Sequence, residues 1–247
     1  MVGSLLLRGM IVGFVAGLLV FAVAFVFGEP LVETAVSFEK QVAHATGEPH
    51  EHLVGRATQS GLGLATATVV FGTALGGLFA LVYAFAQGRV SSFGPRATAA
   101  LIALAAFVAI ALVPDLKYPA NPPAVGAEDT IGARTVLFFV MILISVITLC
   151  ASISLLKALR PRFGVWDASI ITAVSYISII GLAQYLLPSV NEVPENFPAV
   201  TLWSFRATSL GMHAVLWGVL GLGFGAWMER GNRAASVDYA RRPSHSR

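Results

Sequence analysis

Long apolar runs separated by short polar segments dominate this chain. Six runs reach or approach the ~20 residues a helix needs to cross the hydrocarbon core of a bilayer: 5–27, 61–86, 97–113, 135–156, 168–187 and 207–228. The third is the shortest, pinned between Gly94-Pro95 and Pro114, which predicts a short, tilted or partly re-entrant segment. Small residues recur every four positions at Gly9, Gly13 and Gly17, and again at Gly72 and Gly76. That spacing lets helix backbones approach closely. The pattern predicts an all-α fold, a polytopic membrane helix bundle of about six transmembrane helices. One integral-membrane domain would cover 1–230, followed by a basic tail over 231–247. Arg8 and the Ala22-Val23-Ala24 stretch have some character of a cleaved signal. The length of the first run, and the lack of a clear cleavage site at Gly28-Glu29-Pro30, favour a retained span.

Composition sharpens this picture. Of the 247 residues 56% are hydrophobic and 12% charged, and the mean hydropathy is +0.78. A soluble domain carries about 25% charged residues. A disordered chain, a nucleic-acid-binding module and a typical soluble enzyme are therefore excluded, and no nucleic-acid partner is expected. The one cysteine, Cys150, excludes an internal disulfide framework and a Cys-x-x-Cys redox pair.

The net charge of +3 hides two opposed faces. The chain ends and the second and fourth loops hold eleven of the Lys and Arg residues, and the first, third and fifth loops hold five. The positive-inside rule then predicts both termini in the cytoplasm. Ten of the thirteen acids fall in the outer loops 28–60, 114–134 and 188–206. An acidic outer face raises the local concentration of cations. The first of these loops has helical character over 31–45, whereas the other two are Pro-rich and predicted to be extended.

Candidate chemistry gathers on that face. His44, Glu48, His50, Glu51 and His52 lie within nine residues, and imidazole with carboxylate suits divalent Zn, Ni, Co or Cu. In an extended segment His50 and His52 share one side, and His44 could fold back across Gly47 to join them. A solvated loop that binds nothing carries equal weight, because a short His tract is only a compositional hint of metal. His213 is the one histidine inside a predicted span. It is either a functional group or an interhelical hydrogen-bonding residue. Asp115 follows Pro114 in a segment with four prolines in ten residues, which precludes helix and stiffens the chain. It could meet an ion at the end of the third span, be neutralised by Lys117, or belong to a rigid connector.

That segment, Asp115-Leu-Lys-Tyr-Pro-Ala-Asn-Pro-Pro-Ala-Val-Gly126, is followed by Thr130-Ile131-Gly132 and Arg134-Thr135. Together they resemble the signature of CbtA, a family of predicted cobalt transporter subunits. Looser likenesses extend from about Ser4 to Arg230, including Gly76-Gly77-Leu-Phe-Ala-Leu-Val-Tyr-Ala-Phe85 and Arg206-Ala-Thr-Ser-Leu-Gly211. The resemblance implies cobalt import across a bacterial inner membrane for corrinoid synthesis. It also implies a small membrane partner with a His-rich terminus, the companion cobalt transporter component CbtB. It transfers no ligand set.

The leading reading is thus a multi-pass membrane protein that takes up a divalent cation, Co²⁺ or alternatively Ni²⁺, as cargo, with no permanently bound cofactor. The metal candidates are His44, Glu48, His50, His52, Asp115 and His213, with Glu192 at the same outer mouth. No Walker A motif is present, so the chain does not energise transport with its own ATP site. The spans hold almost no carboxylates between their ends. That favours a second class, a non-conducting scaffold or metal-delivery partner. An enzyme is the least favoured class: only Ser209 and His213, at i and i+4, have suggestive spacing. The expected surroundings are the lipid bilayer, and homo-oligomerisation stays open.

Overall fold

Apolar residues without regular alternation, in runs of 20 or more, must satisfy their backbone amides internally in lipid, and they do so as helices. The computed structural model describes residues 2–46, 55–89 and 93–231. Its main helices are α1 (Val2–Val23), α2 (Glu29–Thr46), α3 (Arg56–Thr58), α4 (Leu64–Ala86), α5 (Pro95–Ala106), α6 (Val113–Lys117), α7 (Ile131–Leu186) and α8 (Ala199–Val219). Wider π turns join α1 to α2, α3 to α4 and α5 to α6, and another extends α8. Merged across these turns, five helical runs among the described residues are long and apolar enough to cross a membrane. The fold is all-α and polytopic, as expected.

Several boundaries differ from those the apolar pattern predicts. The third run is not short: it spans Pro95–Lys117, 23 residues. Pro114 is tolerated because it sits at the start of α6, just after the π turn Phe107–Leu112. A wider turn makes room for the carbonyl that a proline ring would otherwise strike. The fifth loop is extended only as far as Pro198. Leu202 N–H then bonds the Pro198 carbonyl at 3.1 Å, and α8 begins.

The expected fourth and fifth spans lie in one assigned helix of 56 residues. Straight, it would measure about 84 Å, nearly three times the hydrocarbon thickness. It is not straight, because Gly164 has non-helical φ 77° and ψ 176°. The Ser145 and Tyr176 hydroxyls are 2.8 Å apart although 31 residues separate them, a span of about 46 Å along a continuous helix. The chain therefore doubles back near Pro161–Gly164 into a helical hairpin, and six apolar segments result. The basic residues Lys157, Arg160 and Arg162 end the apolar run without ending the helix, so the loop expected there is a turn at one glycine.

The chain divides into two compact units. The first comprises Met1–Phe25, Val54–Leu104 and Met212–Arg247, and is built on contact between α1 and α4. Cβ atoms added at Gly13 and Gly76 would strike the carbonyl oxygens of Gly72 and Gly9. One added at Gly17 would lie 2.6 Å from the Thr68 oxygen, and one at Gly72 would lie 2.6 Å from that of Gly13. The two backbones thus touch along three turns. The carboxy-terminal helix meets α5 the same way, with an added Cβ at Gly221 falling 2.6 Å from Ala103 Cβ. Fully buried Phe224 sits edge-on to Phe79 and Tyr83, with centroids at 5.6 and 5.0 Å.

The second unit comprises Val26–Leu53 and Ala105–Gly211. Met141, Ile180, Val113 and Tyr118 form one buried cluster, which joins the hairpin to α6. Ala35, Val125 and Phe197 form another. It pins the proline-rich connector between α2 and the segment before α8, with Phe38 edge-on to Phe197 at 5.2 Å.

Candidate functional site

The connector after α6 contains Pro119, Pro122 and Pro123, which have no N–H to donate, so side chains must organise it. Tyr118 N–H bonds the Pro114 carbonyl at 2.8 Å and closes the helix. Asp115 Oδ1 accepts the next available amide, that of Ala120, at 3.2 Å. The Asp115 charge also acts on Arg206, whose Nη2 donates to Asn121 Oδ1 at 2.8 Å. Lys117, the local neutralising candidate, instead donates from Nζ to Ser189 Oγ at 3.1 Å. Tyr118 donates its hydroxyl to the Pro188 carbonyl at 2.8 Å. Burial pushes that phenol above its ordinary value, so it stays a neutral donor.

A second knot holds the far end of the connector. Glu192 Oε2 accepts from Arg134 Nη1 at 3.0 Å and from the Ala127 amide at 3.2 Å. The Glu192 side chain is 12% exposed and that of Arg134 26%, so the pair lies in a partly desolvated place. Gly126 is required beside it. Its φ is +128°, and an added Cβ would lie 2.5 Å from Arg134 Nη1. Glu192 Oε1 and Arg206 Nε are buried and have no hydrogen-bond partner among the described residues. Buried polar atoms of that kind call for water or an ion.

The predicted residues are distributed as follows. His44 is exposed, in the last turn of α2. Glu48, His50 and His52 lie outside the described residues, as does the tail from 232 onward. Asp115 is half-buried in α6, in the second unit. His213 is half-buried in α8 and belongs to the first unit. Among the described residues no three His, Cys, Asp or Glu side chains gather as a metal site. Tyr118, Asn121, Arg134 and Arg206 belong to the sequence motifs, but the sequence assigns them no role. The usable signal was the presence of two arginines at the ends of apolar runs, facing an acidic loop.

This arrangement is a polar cap in which Glu192 pairs with Arg134, while Asp115 accepts a backbone amide and lies within the electrostatic reach of Arg206. The residues that build it are those of the proline-rich motif and its downstream Arg134. No curated protein and no solved structure matches the chain. A family model described as a probable cobalt transporter subunit matches residues 2–229, nearly the whole chain. That agrees with the resemblance read from the connector, and on it the chain belongs to the CbtA family of probable cobalt transporter subunits.

Proposed function

We propose that this chain is the membrane component of a divalent-metal uptake system in a bacterial inner membrane, with Co²⁺ as its cargo for corrinoid synthesis. The observation that carries the reading is the family match over residues 2–229. In this reading both termini are cytoplasmic and the acidic loops face outward. His44, Glu48, His50 and His52 capture the ion, and Asp115 and His213 serve as further stations. A small membrane partner with a His-rich terminus completes the system. Transport draws on the membrane potential, worth about 2.3 kcal/mol per charge per 100 mV, or on that partner. Ni²⁺ is the alternative cargo.

One observation favours a second reading, a non-conducting scaffold or metal-delivery partner. Glu192 is engaged by Arg134 and the Ala127 amide, Asp115 accepts the Ala120 amide, and no three-ligand group forms among the described residues. Uptake into liposomes containing the purified chain separates the two. Cobalt influx without any partner supports conduction, whereas influx only with the His-rich partner supports the scaffold. In cells, replacing His44, His50 and His52 together by Ala should lower uptake several-fold at limiting cobalt with expression unchanged. Equal uptake at every cobalt concentration removes the capture role.

A further inference from the structure

Near the carboxy-terminal end of the last helical run, in the first compact unit, a groove of about 590 Å³ is lined by Gly223, Ala226, Trp227, Arg230 and Gly231. Residues 223, 226, 227 and 230 follow helical spacing and form one stripe. Gly and Ala open the groove, the Trp227 indole walls it, and arginine stands at its end. A second cation reaches the same place from α1. The Arg8 guanidinium lies 5.9 Å from the centroid of the Trp227 ring, donates to Met228 Sδ at 3.7 Å, and would sit 3.3 Å from a Cβ added at Gly231. A thioether and an indole face are weak partners for a half-buried guanidinium. The nearby acid, Glu229, is engaged by Arg96 at 3.9 Å. Among the described residues neither Arg8 nor Arg230 pairs with a carboxylate.

We propose that this groove binds one anionic phospholipid, with an acyl chain along Gly223 and Ala226 and the phosphate between Arg8 and Arg230. Charge complementarity selects the occupant. The floor is apolar and lies along a membrane-length helix, while both cations stand at the end where that helix leaves the apolar run. Guanidinium groups bind phosphate oxygens in paired hydrogen bonds, and basic pockets between membrane helices suit anionic headgroups. A zwitterionic lipid would fill the same groove without matching its charge.

The test is native mass spectrometry of the full chain in detergent, titrated with dioleoyl phosphatidylglycerol, dioleoyl phosphatidylcholine or inorganic phosphate. The expected result is one retained phosphatidylglycerol per chain, favoured about tenfold over phosphatidylcholine and not displaced by inorganic phosphate. Arg8→Gln with Arg230→Gln should erase the preference. Ala226→Phe, which fills the groove and keeps both cations, should weaken retention of both lipids. Arg230 is exposed, so Arg230→Gln alone serves if the double variant does not fold, with a loss of about threefold. Equal retention of the two lipids by the native chain overturns the proposal. So does unchanged preference in the arginine variants, undiminished retention in Ala226→Phe, or displacement by inorganic phosphate, which would make the site one for a free anion.

Discussion

Gly13→Ala or Gly76→Ala is expected to lower stability by about 3 kcal/mol, the upper end of what overpacking usually costs, and to reduce yield from membranes. The reason is that the obstructing atoms are backbone. A methyl at position 13 meets the Gly72 carbonyl oxygen, and one at position 76 meets that of Gly9. No side-chain rotation can relieve either clash, so α1 and α4 must separate and lose contact along their shared length. Gly218→Ala is the control, since nothing lies within 4 Å of its added Cβ. There the change should be neutral or stabilising by up to about 1 kcal/mol, the difference in helix propensity. Unfolding by detergent titration reads both effects. Equal stabilities for the two classes of variant would refute the close backbone contact.

Arg134→Gln is expected to destabilise the second unit by about 2–3 kcal/mol, below the full cost of breaking a deeply buried pair because Arg134 keeps some exposure. Removing the guanidinium leaves Glu192 with a buried charge and only the Ala127 amide to hold it. Glu192→Gln should cost a similar amount for the opposite reason. The two together should cost less than their sum, because no uncompensated charge remains. Hydrogen exchange provides a local reading, since the Ala127 amide should exchange faster in Glu192→Gln. Additive losses, or an unchanged Ala127 amide, would show that the pair does not organise the connector.

The apolar runs were legible because membrane helices satisfy their hydrogen bonds within the segment, so length and hydropathy suffice to find them. The Gly-x-x-x-Gly spacing was legible too, and α1 and α4 use it against one another. The ends of the runs were less so. Hydropathy falls at Lys157, Arg160 and Arg162, yet the helix continues to the turn at Gly164, because leaving lipid does not itself unwind a helix. The extra helical length at Glu29–Thr46 and Ala199–Val219 was partly hidden for the same reason.

The candidate site divides along the same line. Sequence pattern picked out the proline-rich connector, its acids and its family. It also set the histidines of the first loop beside them as a compositional cluster. The partners were not visible, since Arg134 meets Glu192 across 58 residues and Arg206 meets Asn121 across 85. Lys117, two residues from Asp115, looked the natural counter-charge and turned instead to Ser189.

What the chain determined by itself was thus everything that depends on neighbours along the sequence: helical class, apolar segments, the distribution of charge between loops, and the family motif. What only the tertiary structure decided was which arginine answers which carboxylate, where α7 reverses, and which glycines carry another helix against them. Those depend on distances between residues far apart in the chain. Such distances follow from packing, which no local pattern of hydrophobic and polar positions encodes.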